Sequence, residues 1–143
     1  MIAAAHDLPE LDGLSFRDQR DFLLEIVMRD RALRRDELSR LRDARGGRSI
    51  PRGSAITLLA LLERPGRTVS HDHLSTRLEE GGHGWQTKVH LVSHIKRLRQ
   101  SLARLGWPVT ISTFYGTGYR ADITDPAWTP PWRTEGETHD RDP

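Results

Sequence analysis

The stretch from His90 to Arg120 gathers the side chains of this sequence that could do chemistry. His90 and His94 stand four residues apart, a spacing that puts two imidazoles on one helical face within reach of a single metal ion. No HExxH motif accompanies them and the chain has no cysteine, so neither a metal centre nor a bound cofactor is expected. Ser, His and Asp are all present, yet none sits in a nucleophile-elbow or phosphate-loop context, and the segment lacks the paired carboxylates of acid–base hydrolysis. No catalytic residue is assigned, and the chain is read as a non-enzyme.

What the stretch does hold is charge of one sign. Residues 85–121 carry 6 basic and 0 acidic side chains, whereas residues 1–45 carry 9 and 10, residues 46–84 carry 5 and 4, and residues 122–143 carry 2 and 6. A solvated face normally mixes both signs, so a local excess of this kind points to a polyanionic partner. The frame around it is ordinary: 143 residues, 29% charged and 36% hydrophobic, enough for one compact domain with an appendage. No apolar run approaches the ~18 residues of a membrane span, and "MIAAAHDLPELDG" lacks the basic start and long apolar centre of a signal peptide. A cytoplasmic protein is expected, and the near-exclusive use of Arg, with Lys88 and Lys96 the only lysines, suggests a GC-rich bacterial coding sequence.

The elements that must position these charges follow from periodicity and breakers. After a flexible N-terminus, residues 1–14, Ser15 followed by Asp18 opens a helical extension over residues 15–45, read as one helix or two joined near Arg34 and Arg35. Leu23, Leu24, Ile26 and Val27 give it apolar surface on more than one side. It either joins two copies or packs on its own domain, and a homodimer is the expectation. From residue 50 the texture changes. Ala55, Leu58, Leu59 and Leu62 mark a short amphipathic helix stopped by Pro65-Gly66, and Ser70 caps a second, "HDHLSTRLEE", before the "GGHG" break. Leu91, Ile95, Leu98, Leu102 and Leu105 form the core stripe of a third helix ended by Gly106, with His90, Ser93, His94, Arg97, Gln100, Ser101 and Arg104 expected on its outer side. "PVTISTF" and "GTGYR" then read as a β-hairpin with a small tip.

This order, mainly α with a C-terminal β-hairpin, resembles the winged helix-turn-helix DNA-binding domain of OmpR/PhoB-type response regulators. The resemblance covers residues 50–121 and is carried by Leu58, Leu61, Pro65-Gly66, Val69-Ser70, Leu74, "HIKRLRQSL" and "GTGYR". It implies that the third helix enters the major groove of double-stranded DNA, that the wing reaches an adjacent minor groove, and that the loop before the third helix can touch RNA polymerase. Arg97 is the first choice for a base contact, with Ser93 and Val92 beside it, because Arg donates two hydrogen bonds to guanine. Lys88, His90, His94, Lys96, Arg99 and Thr113 are assigned to backbone phosphates, and Tyr115 and Thr117 to the wing. Tyr115 stands where many members carry Arg, Val89 where many carry a phosphate-binding Arg, and Glu79-Glu80 where Trp-Gly is usual. No receiver domain is recognised, so control by aspartyl phosphorylation is not expected.

The function so implied is that of a sequence-specific transcriptional regulator working on the bacterial nucleoid. Its rival is a winged helix used as a protein–protein interaction module in a regulatory complex, for which the basic charge would serve an acidic partner. The remaining residues, 122–143, form an acidic, Pro-rich tail expected to be largely disordered, with Trp128 and Trp132 as the groups that could lie back on the domain.

Overall fold

Leu91, Ile95, Leu98 and Leu102 are buried together, so the leucine stripe faces a core as its spacing requires. The computed structural model describes Gly13 and residues 15–133. The expected flexible N-terminus, apart from Gly13, and residues 134–143 lie outside the described residues. Two units divide the chain, one ending at Asp36 and one beginning at Glu37.

The extension is one uninterrupted helix, α1 (Phe16–Asp43), which settles the choice between one helix and two. It starts where Ser15 Oγ accepts the Asp18 N–H at 3.1 Å. Leu41, in its last turn, is buried, whereas Leu23, Ile26 and Val27 are half-buried and Leu24 is exposed.

The second unit is built round α2 (Arg52–Leu62). An amphipathic helix was expected there, but every residue from Gly53 to Leu62 is buried. The reason is that α2 packs against elements on all sides: α3 (His71–Glu80), α4 (Lys88–Leu105), β1 (Thr68–Ser70) and β3 (Gly118–Ile123). Its buried hydroxyls are satisfied, Thr57 Oγ1 donating to Gly53 O at 2.8 Å and Ser54 Oγ to His94 O at 3.1 Å. Ser70 caps α3 as its sequence suggests, accepting the His73 N–H at 3.1 Å.

The hairpin is one strand short of the sheet that forms. β2 (Val109–Phe114) and β3 pair antiparallel from Val109↔Ile123 to Phe114↔Gly118, and β1 adds to the other side of β3 in the order β1-β3-β2. Only Val69 of the three β1 residues is buried, so the segment has too little alternation to read as a strand. The reversal is a four-residue turn closed by Thr117 N–H on Phe114 O at 3.0 Å, with Gly116 at φ +81°. Gly118 serves a different purpose, since a Cβ there would overlap the Val69 carbonyl where β1 crosses.

The expectation of a largely disordered tail is corrected as far as Arg133. Trp132 is 3% exposed and belongs to the core, its ring 5.6 Å from Trp107, while Trp128 lies 6.1 Å from Trp107. Arg133 donates to Leu62 O at 3.4 Å and pairs with Glu37 at 3.7 Å. Indole area outweighs the cost of ordering a Pro-rich segment, because Pro has little chain entropy left to lose.

Candidate nucleic-acid interface

The cationic helix α4 begins at a well-made cap. Thr87 Oγ1 accepts the His90 N–H at 3.4 Å and the Thr87 N–H points back to His90 Nδ1 at 3.4 Å, a reciprocal pair in which His90 takes the place usually held by Glu. No acidic residue lies in its first turn, so the positive end of the helix dipole is left for an external anion, with Lys88 exposed beside it. Gly106, at φ +71°, ends the helix.

The loop that delivers the chain into α4 is pinned through Gln86. Ser75 Oγ donates to Gln86 O at 2.7 Å, Gln86 Nε2 donates to His83 O at 2.9 Å, and Gln86 Oε1 lies 3.1 Å from His94 Nε2. Arg52 adds a bond to Gly81 O at 3.0 Å. Behind α3, Glu63 holds both His73 and Arg77, at 3.4 and 3.3 Å. Burial pushes the Glu63 carboxyl up, but His73 and Arg77 outweigh it and the group sits below its usual value.

Of the residues placed on the outer side of α4 by the sequence, Ser101 turns inward and His94 is half-buried, while Arg104 stays exposed. Ser101 is buried, and Arg104 bonds to it and to Ser49 O, at 3.4 and 3.1 Å, which ties the end of α4 to the turn before α2. His94 is half-buried against Gly53, whose missing Cβ leaves room for the ring. Burial first, then the charges of His83, Arg97 and His90, hold the His94 imidazole below its usual value. The ring, expected at a phosphate, has an internal partner in Gln86 of the loop. Among the described residues no group of three or more His, Asp or Glu is arranged to hold a metal ion.

Arg99 also has an internal task. Its guanidinium donates to Ile111 O at 3.2 and 2.8 Å and to Thr113 Oγ1 at 2.9 Å, so Arg99 and Thr113, both expected at phosphates, join helix to wing. Arg120 likewise serves the wing, stacked 4.9 Å over Phe114 and paired to Asp122 at 2.9 Å.

What is left facing outward is a compact set. Lys88, Val92, Ser93, Lys96, Arg97 and Gln100 are exposed, and the three cations among them make no ion pair among the described residues. With the buried stripe as reference, Gln100 and Ser93 lie nearest the centre of the outer arc with Lys96 next to them, Arg97 on the flank beside His94, and Val92 on the flank towards Arg99. Tyr115, 94% exposed at the turn, and Thr117 occupy the wing tip. Val89 and Trp85 are exposed apolar groups at the start of this surface. Trp85 received no role from sequence, and the only signal available was its place beside the "GGHG" break.

Comparisons with curated proteins and with solved structures gave no match. Residues 52–121, the span from α2 to β3, match the family model described as "Transcriptional regulatory protein, C terminal". Three helices on one core, a three-stranded antiparallel sheet and an exposed basic helix agree with that match, and residues 52–121 belong to the OmpR/PhoB-type family of winged helix-turn-helix DNA-binding domains of transcriptional regulators.

Proposed function

We propose that this domain reads DNA sequence by seating α4 in the major groove, with the β2–β3 turn at the adjacent minor groove. The observation that carries this reading is the free outer arc of α4: Lys88, Lys96 and Arg97 exposed and unpaired among the described residues, on a segment without a carboxylate. A helix of this width fits the major groove, where Arg97 reads a guanine, Ser93 takes a polar base edge, and Val92 meets a thymine methyl. Val89 and Trp85 extend the apolar part of the surface. Lys96 and Lys88 hold backbone phosphates, as does the open N-terminus of α4. Tyr115 presents a ring to the sugar edge.

Duplex titration over a range of salt tests the reading. The logarithm of affinity should fall linearly with the logarithm of salt concentration, with a slope of about −0.9 per phosphate engaged. A promoter-length duplex that shows no binding at low salt overturns it. Arg97→Ala should flatten the preference among sites, while Lys96→Ala should weaken all sites alike and reduce the slope by about 1.

Two copies are joined through α1 in this proposal, because one winged helix touches few bases and a second half-site multiplies specificity. Leu24, Met28 and Leu33 supply exposed apolar surface, with Leu23, Ile26 and Val27 half-buried behind them. Light scattering at micromolar concentration should give the mass of a dimer, and a monomer with and without DNA removes this part.

A further inference from the structure

Val89 and Val92, in the first turns of α4, are 74% and 56% exposed. Val89 lies one turn before Ser93 on the same row of the outer arc, about 6 Å away along the helix. Branched at Cβ, a valine in a helix is held near one rotamer, so its methyls stand fixed and lose little freedom on contact. The polar groups at the start of the helix leave it to them. Thr87 Oγ1 lies 3.2 Å from His90 Nδ1, which engages these two with each other, and Lys88 can only donate. No carboxylate occurs in residues 85–121.

Resting on the reading that α4 lies in the major groove, we propose that Val89 makes the start of the helix selective for thymine, by packing on the C5-methyl group of a T·A pair. Thymine is the base that shows an apolar group at the major-groove edge. Cytosine shows an N4 donor, which Asp or Glu would accept, and this segment has neither. A purine shows polar atoms that a valine leaves unpaired. Val89 therefore excludes the other bases as well as favouring one. The exposed cations Lys88, Lys96 and Arg97 bring the duplex to this surface. Val89 and Arg97 are eight residues apart, about 12 Å, so the thymine stands roughly three to four base pairs from the guanine that Arg97 reads.

Duplexes enriched from a random library by the full chain are the probe. They should carry a thymine at that spacing from a guanine. Replacing it with deoxyuridine deletes only the methyl and should weaken binding about fourfold, with the salt slope unchanged. A 5-methylcytosine·guanine pair at the same place keeps the methyl but adds an unpaired N4 donor, and should bind no better than the deoxyuridine duplex. In Val89→Ala, where the new residue is the better helix former, the thymine and deoxyuridine duplexes should bind alike. Equal affinity of the unaltered chain for those two, or the same preference in Val89→Ala, overturns the role of Val89 and leaves duplex binding standing. Equal affinity for the thymine and 5-methylcytosine duplexes overturns the selection of thymine. Failure to enrich any duplex overturns the inference together with the major-groove reading.

Discussion

Arg99 has an internal partner that its place in the sequence does not show. In sequence it is one more cation in "HIKRLR", and nothing local distinguishes it from Lys96. Only the return of β2 brings the Ile111 carbonyl to meet its guanidinium. The forked donor geometry matters there, since a point charge would keep one bond at best. Arg99→Lys should therefore lower stability by about 1–2 kcal/mol in denaturant titration while leaving the salt slope of duplex binding unchanged, the opposite of the pattern expected for Lys96→Ala. A reduced slope for Arg99→Lys would return Arg99 to the phosphate contacts. His94 carries a similar lesson. Its place four residues after His90 was legible, but the pocket that takes its ring depends on Gly53, forty-one positions upstream. Its lowered pKa means the folded state resists protonation, so the contribution of the neutral ring to stability is whole above the unfolded value and is lost as pH falls below about 6.5. His94→Gln should make the stability profile flatter between pH 6.5 and 5, measured by thermal melts across that range.

Among the elements, those with a strong period of their own were legible and those defined by a partner were not. The α4 stripe, the Gly106 stop and the Ser70 cap follow from spacing and residue type, and all three stand in the structure. β1 has three residues and one buried side chain, so it exists only because β3 offers an edge. The placement of Gly118 records that pairing, and Gly118→Ala should detach β1 from β3. The result would be read as faster amide exchange at Gly66 and His71, whose N–H groups donate to Ala121 O and Thr117 O. The join between α2 and α3 is likewise invisible in sequence, since Glu63 and Arg77 lie fourteen residues apart. Glu63 has a depressed pKa, so its contribution is present above the ordinary carboxylate value of 4.5 and is lost as pH falls through the folded one. Glu63→Gln should cost about 1–2 kcal/mol at neutral pH and should reduce the acid dependence of stability below about pH 4.5. An unchanged acid limb would show that the pairing is idle.

At the scale of the whole molecule, the family match and the folding unit have different ends. The match stops at residue 121, yet Trp132 is buried at 3% exposure and Arg133 bonds back to Leu62 O and Glu37. Sequence favoured an unstructured tail because Pro and acidic residues dominate its composition, and composition averages away two tryptophans whose area decides the outcome. Two truncations separate the possibilities. A chain ending at Ile123 loses Trp128 and Trp132, uncovers Trp107, and should lose about 3–5 kcal/mol, the range for deleting a buried aromatic. A chain ending at Arg133 keeps the three indoles and should unfold at the same denaturant midpoint as the full chain. It also sheds Glu135, Glu137, Asp140 and Asp142 against Arg141 alone, so its duplex affinity at low salt should rise, with the gain fading as salt screens the field. Equal midpoints for both truncations would show that the tryptophan cluster adds nothing to the domain, and equal affinity for the full chain and the longer truncation would show that the acidic end does not compete with DNA for α4.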